Sequence, residues 1–255
     1  MKAMAIVMRE YGAPEVLKWA DVSLPPLQPG DVRIQTIAAA VNHTDLEIRA
    51  GNWLIRAANP FPYTPEVEVL GKIHSAGSAV ADLRTGDLVI TMMQGLGGVR
   101  ALRAGGYAEY VDAAVASVPP GIDPYEMAAL GLAGITACEG LRRIGPLEDR
   151  KILVSGAAGG VGSAAVTIAR AQGAIVTGLI SRPEQEETVR SLGATSVVVT
   201  SRVVPPDCRW TVSTASSTQS AATSSLLWSS LFGQRACCLW SPLWLAATSP
   251  STPGT

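Results

Sequence analysis

The chain is 255 residues long, with 20 Lys and Arg against 21 Asp and Glu, and 47% of it is hydrophobic. That is long enough to bury a core without disulfides and too apolar to be disordered. It is also too nearly neutral for an electrostatic partnership with nucleic acid or an anionic membrane. Four Cys are too few for a disulfide framework and no apolar run approaches membrane-spanning length, so a cytoplasmic protein is expected.

From Met1 to about Pro120 short apolar runs alternate with turn signals. Ala3–Met8, Val32–Ala39, Val67–His74 and Asp87–Thr91 read as strands. Pro25-Pro26, Pro29-Gly30-Asp31 and Thr85-Gly86-Asp87 read as turns. Gly105-Gly106-Tyr107 turns into a further strand. Strands this short and regular suggest a small barrel-like domain, and no spacing within it is catalytic by itself.

The second part reads as strand, glycine turn, helix, strand. Lys151–Ser155 is a buried-type strand that runs into Gly156-Ala157-Ala158-Gly159-Gly160-Val161-Gly162. Val161, Ala164, Ala165, Ile168 and Ala169 then fall on one helical face, and Ala174–Gly178 is the next strand. This is the context of a dinucleotide-binding turn. Without side chains the backbone N–H groups approach a pyrophosphate, and the helix N-terminus favours the anion. Gly156, Gly159, Gly160, Val161 and Gly162 are therefore the candidate cofactor-binding residues, and a tight structural turn is the alternative. A P-loop would need Lys where Ser163 stands. The nearest text to a nucleophile elbow, Ile73-His74-Ser75-Ala76-Gly77, lacks its first Gly.

The end of the second strand bears on cofactor choice. An NAD site usually carries Asp or Glu there for the ribose 2′-OH, whereas this chain has Gly178-Leu179-Ile180-Ser181-Arg182. Ser181 and Arg182 are candidates for a 2′-phosphate, which favours NADPH. The alternative is that Ser181-x-x-Glu184 is a capping box for the following helix.

Composition changes near residue 206. Residues 207–255 carry only Asp207, Arg209 and Arg235 as charged side chains, with 18 Ser and Thr, four of the six Trp and three of the four Cys. A folded surface needs charge at roughly a quarter of positions, so this stretch does not read as one.

Residues 1–206 resemble the medium-chain dehydrogenase/reductases, and within them the zinc-independent, ζ-crystallin-like quinone oxidoreductases. The resemblance is carried by Gly12-Ala13-Pro14-Glu15-Val16-Leu17, Ala40-Val41-Asn42-His43-Thr44-Asp45, Phe61-Pro62-Tyr63-Thr64-Pro65, Thr85-Gly86-Asp87, Gly105-Gly106-Tyr107-Ala108-Glu109-Tyr110, Gly134-Ile135-Thr136-Ala137 and the glycine turn. It implies an α/β architecture with two domains. A GroES-like β-barrel over 1–120 carries substrate, and an incomplete Rossmann domain, a doubly wound parallel sheet, over 121–206 carries NADPH. Cofactor and substrate meet in the cleft between them. Asn42 would lie near nicotinamide and substrate and Thr136 beside the cofactor, so Asn42 and Asp45 are the candidate catalytic residues; a capping or turn role is the alternative for Asn42. Full-length relatives imply a homodimer.

Zinc-dependent relatives place Cys where this chain has Asn42 and His where it has Val67, so no zinc is expected. His43 would then line the cleft and His74 would be a satisfied strand residue. Without a Lewis acid, a quinone or enone is the expected hydride acceptor rather than an alcohol as donor. A non-catalytic nucleotide-binding or structural protein is the alternative.

The resemblance stops between Arg202 and Pro206. Back-translated and read two bases on, Trp210–Thr214 permits Asp-Gly-Val-Tyr, and Leu231–Leu239 permits Leu-Arg-Pro-Ala-Gly-Val-Leu, both family-like. A frame change after residue 206 is the expectation, with a divergent native tail as the alternative. Three Rossmann strands without further partners would leave an open sheet edge.

Overall fold

The computed structural model describes residues 1–53, 60–92 and 103–200, together with the backbone of 212–214. The chain divides between Leu132 and Ala133 into two units.

The first unit is antiparallel. β1 (Lys2–Val7) and β2 (Lys18–Ser23) pair with each other, from Lys2 opposite Ser23 to Val7 opposite Lys18. β3 (Val32–Ala38), β4 (Glu68–Ala76), β5 (Leu88–Met92), β6 (Tyr110–Ala113) and β7 (Ala116–Ser117) form a five-stranded sheet in the order β6-β3-β4-β5-β7. The apolar runs read as strands in the sequence lie in β1, β3, β4 and β5 to within a residue or two. β2 escaped that reading because Lys18-Trp19-Ala20-Asp21-Val22-Ser23 buries nothing fully and so carries no apolar stripe. Val32, Ile34, Val69, Ile73, Val89, Val111 and Ala113 close over one core, each large side chain contributing about 1.5–3 kcal/mol by leaving water. The Arg33 guanidinium grips Asp112 through two bonds of 2.8 and 2.7 Å and donates at 2.7 Å to the carbonyl of Pro25.

Helix α1 (His43–Ala50) follows β3 and stops at Gly51, whose φ of 80° is the left-handed conformation that ends a helix without a Cβ penalty. Its Ile48 packs with Met8, Tyr63 and Val67. Helix α2 (Pro124–Ile144) contains the division between the units. Asp123 caps it, accepting from the N–H groups of Tyr125 and Glu126 at 2.9 and 3.0 Å, and Pro124 takes the first position, where no N–H is needed.

The second unit holds β8 (Lys151–Ser155), β9 (Ile175–Ile180) and β10 (Ser196–Val199), all parallel, in the order β10-β9-β8. α3 (Gly160–Ala171) and α4 (Glu186–Ser191) make the crossovers. Ala164, Ala165 and Ala169 are buried as their spacing predicts, with Val161 and Ile168 packed at the margin. Val166 is buried as well, so α3 sinks a broader face than the single stripe. Ile152, Val154, Val176 and Ile180 supply the sheet's side of this core.

The edge of β8 is not open as expected. β11 (Val212–Thr214) lies along it, antiparallel, with Val212 opposite Val154 and Thr214 opposite Ile152. Unpaired N–H and C=O groups on an edge strand accept any extended segment, whichever way it runs. The rest of 207–255, and with it the frame-change reading, lies outside the described residues. Among the described residues no helix is long and apolar enough to cross a membrane.

Ile152 is 1% exposed at the centre of the second unit's core. Ile152→Ala is expected to cost about 2–5 kcal/mol, read as a lower urea midpoint at unchanged slope.

Candidate functional site

The first unit gathers three carboxyls around the start of α1. Asn42 occupies the cap position with extended backbone and shares a capping box with Asp45, as its capping alternative requires. Asn42 Nδ2 also donates to Glu68 Oε1 at 2.7 Å. Asp45, at the third helical position, accepts from the Asn42 backbone N–H at 2.8 Å, which is the acid's side of that box. Glu68 Oε2 takes the backbone N–H of Leu132 in α2. The chain makes room for that carboxylate at Gly131, where a Cβ would collide with Glu68 Oε2.

Glu66 completes the group. It is 0% exposed, and its φ of 96° is a left-handed value that non-glycine residues rarely adopt. Its Oε1 accepts from the Glu68 N–H at 2.7 Å, and its carboxyl stands within hydrogen-bonding reach of Asp45. Burial pushes the Asp45 carboxyl up to about 6, against the lowering effect of the Asn42 N–H. Burial, then the neighbouring Asp45 charge, pushes Glu66 up to about 9. Burial also raises Glu68, while the bonds from Asn42 and Leu132 hold it down.

Both candidate catalytic residues, Asn42 and Asp45, are thus brought together. Asp45 is 4% exposed and reaches outward through Asn42, which is partly exposed. The histidines stand apart from them. His43 Nε2 is 3.4 Å from Glu47 Oε1, with 70% of its side chain exposed, and His74 packs edge-on against Tyr110. Val67, at the position where zinc-dependent relatives carry His, is a fully buried core residue.

In the second unit the glycine turn joins β8 to α3. Gly156 has a φ of 60°, Gly159 N–H closes onto Gly156 O at 2.9 Å, and Ser163 N–H bonds Gly159 O at 2.8 Å. A Cβ on Gly162 would run into Gly156 O, so this glycine is required for the turn to close against the helix. Gly159 caps α3 without a side chain, so the first-turn N–H groups of Gly160, Val161 and Gly162 receive no side-chain cap from it. A pyrophosphate fits that cradle. Ala133 is the nearest neighbour a Cβ on Gly160 would meet, at 3.7 Å. Thr136, one turn further along α2 and exposed, stands on the same side.

Ser181 and Arg182 follow β9 directly and are both exposed. Ser181-x-x-Glu184 is not a capping box. The helical turn begins at Pro183 with Arg182 as its cap, and Arg182 N–H bonds Gln185 Oε1 at 3.3 Å. Proline, lacking an N–H and preset in φ, claims the first helical position and moves the cap one residue on. Sequence reading missed Glu66 and Glu68 as site residues. The signal was present in Pro65-Glu66-Val67-Glu68, two acids entering an otherwise apolar strand.

Asn42→Leu leaves Glu68 without its side-chain donor. Removing that bond raises Glu68 further in the folded state, so the variant's deficit is full above its new value and shrinks as pH falls through it. Urea unfolding at pH 8 is expected to show a loss of about 2 kcal/mol, and at pH 5 clearly less.

Residues 28–120 match the alcohol dehydrogenase GroES-like domain family. The chain is 36% identical over 198 residues to the quinone oxidoreductase of Sus scrofa, covering 76% of this chain and 57% of that protein. It is 35% identical over 195 residues to the chloroplastic NADPH-dependent alkenal/one oxidoreductase of Arabidopsis thaliana, covering 74% of this chain and 50% of that one. A mycobacterial protein solved in complex with NADPH superposes with a TM-score of 0.65 at 28% identity, over 77% of this chain and 58% of its own. The chain therefore spans 50 to 58% of the length of these three proteins. An antiparallel first unit, a parallel β–glycine turn–α second unit and these identities together make the chain a member of the medium-chain dehydrogenase/reductase superfamily, on its quinone oxidoreductase branch.

Proposed function

We propose that the chain is an NADPH-dependent oxidoreductase that passes hydride to a small quinone or enone acceptor without zinc. The observation that carries this reading is the uncapped glycine start of α3, followed at the end of β9 by Ser181 and Arg182 with no acid. The names of the pig and Arabidopsis relatives support the acceptor class, and the NADPH-bound mycobacterial structure supports the cofactor.

In this reading residues 1–120 carry substrate and 121–206 carry cofactor. The N–H groups of Gly160, Val161 and Gly162 hold the pyrophosphate, Gly156 and Gly159 shape the turn, and Thr136 flanks it. Arg182 pairs with the 2′-phosphate as a charge-assisted donor beside Ser181. Bound NADPH supplies the hydride. Asn42 orients the acceptor, its amide held in one rotamer by Glu68 and its backbone by Asp45. The protein's part is positioning, which is enough for an acceptor that takes hydride readily. The proton comes from solvent. Nucleic acid and membrane have no role, the setting is the cytoplasm, and a homodimer is the expected assembly of full-length relatives.

Nucleotide binding without turnover is the second reading. What favours it is that the glycine start of α3 and Arg182 account for nucleotide binding by themselves, and neither is a reacting group.

Fluorescence titration of the purified chain with NADPH and with NADH, followed by quinone, separates the two. NADPH is expected to bind about tenfold more tightly than NADH, and Arg182→Ala to remove most of that margin. Gly162→Ala is expected to abolish binding of both. Quinone-dependent oxidation of NADPH supports the reductase, binding without oxidation supports the second reading, and a folded chain that binds neither nucleotide overturns both.

A further inference from the structure

We propose that Asp45 and Glu66 form a carboxylic acid–carboxylate pair holding one proton between Asp45 Oδ1 and Glu66 Oε2, and that Glu66 acts through Asp45 as a positioning residue for Asn42.

Each carboxyl has one oxygen satisfied by backbone, Asp45 Oδ2 by Asn42 N–H at 2.8 Å and Glu66 Oε1 by Glu68 N–H at 2.7 Å. The other oxygen of each, Asp45 Oδ1 and Glu66 Oε2, is buried without a well-aligned hydrogen-bond partner, with the Glu66 backbone N–H the donor nearest the Asp45 carboxyl and the Tyr107 phenol the donor nearest the Glu66 carboxyl. The two carboxyls nonetheless stand within hydrogen-bonding reach of each other. As two carboxylates they would repel at close range and leave both oxygens unpaired out of water. A single proton turns the same contact into a donor and an acceptor and satisfies both.

No described cation competes for the role. The titratable groups facing the pair are Glu68 on β4 and the phenols of Tyr63 and Tyr107, and none of these brings positive charge. Arg49 of α1 turns its guanidinium to Gly12 O, and Arg103 is engaged with Asp31. Glu66 also holds a left-handed backbone that its surroundings must impose, so its carboxyl is kept in place against local preference.

Glu66, 0% exposed against 4% for Asp45, is the member that keeps the proton, in line with burial raising it to about 9 and Asp45 to about 6. The sign follows. A folded-state value above the unfolded value of 4.5 means the native chain binds the extra proton between about 4.5 and about 9. The stabilisation is full below that window and is lost as pH rises through it. Once both are ionised, Asp45 loses its partner, and its hold on the Asn42 N–H changes with it. Only the consequence of that change for a reacting site rests on the proposed function.

Three readouts on the unliganded full chain test the pair, so a failure of NADPH binding leaves them untouched. Glu66→Gln keeps a neutral donor toward Asp45 that does not titrate. In the infrared carbonyl region the wild type is expected to show a protonated carboxylic acid at pH 7 that disappears toward pH 10, and E66Q to lack it. In urea, the wild-type unfolding constant is expected to rise about tenfold or more between pH 7 and pH 8.5, and that of E66Q about threefold or less. With 15N-labelled asparagine, the Asn42 backbone signal is expected to shift over the same range in the wild type and to stay still in E66Q. A wild type without the acid band at pH 7, or an E66Q chain that keeps the band and the slope, overturns the shared proton. An Asn42 signal that ignores the titration overturns the positioning role. Should E66Q fail to fold, the wild-type infrared and Asn42 titrations decide alone.

Discussion

A carboxylate at Glu68 that is 2% exposed sets the terms for the first unit. Taking that charge out of water is costly unless donors meet it, and here the donors come from two helices, the Asn42 amide at the start of α1 and the Leu132 N–H in α2. Both helices are thereby referenced to β4. Gly131 exists as glycine because the carboxylate occupies the place of its side chain. Asp45 and Glu66 add two further acids around the same point. The bond to Glu68 fixes where the Asn42 amide points.

The second unit solves a different problem. At the start of α3 it presents backbone donors with no side-chain cap. Gly159 caps α3 with nothing, Gly162 closes the turn on Gly156 by having no side chain, and the strand ahead of it is buried enough to hold the turn rigid. One unit therefore buries acids met mainly by its own backbone and amide donors, while the other leaves N–H groups that a phosphate would satisfy from outside.

Legibility in the sequence followed the range of the interaction. The strands at 32–38 and 151–155 and the glycine turn were readable because an alternating or continuous apolar run and a cluster of glycines state their conformation within a few residues. Ser181 misled because the competition for the cap was settled by Pro183, two positions away, through its missing N–H. Asn42 had a cap's position and an identity suited to capping, and its amide also bonds Glu68, 26 residues further on. No local pattern announces a bond of that separation. The antiparallel cover on the β8 edge was likewise invisible, since an edge strand's backbone groups accept a partner of almost any sequence.

The sequence by itself determined the class of each part: a short-stranded antiparallel unit, a parallel unit built on strand, glycine turn and helix, a near-neutral charge, and Ser181-Arg182 in place of an acid directly after β9. These are properties of residues and their near neighbours. Only the tertiary structure decided that Asp45, Glu66 and Glu68 converge, that the Asn42 cap is also anchored to Glu68, and that the β8 edge is covered. The reason is physical. A carboxyl's protonation and an amide's orientation depend on how much water is excluded and which donors remain, and both are set by chain segments that meet only when the core closes.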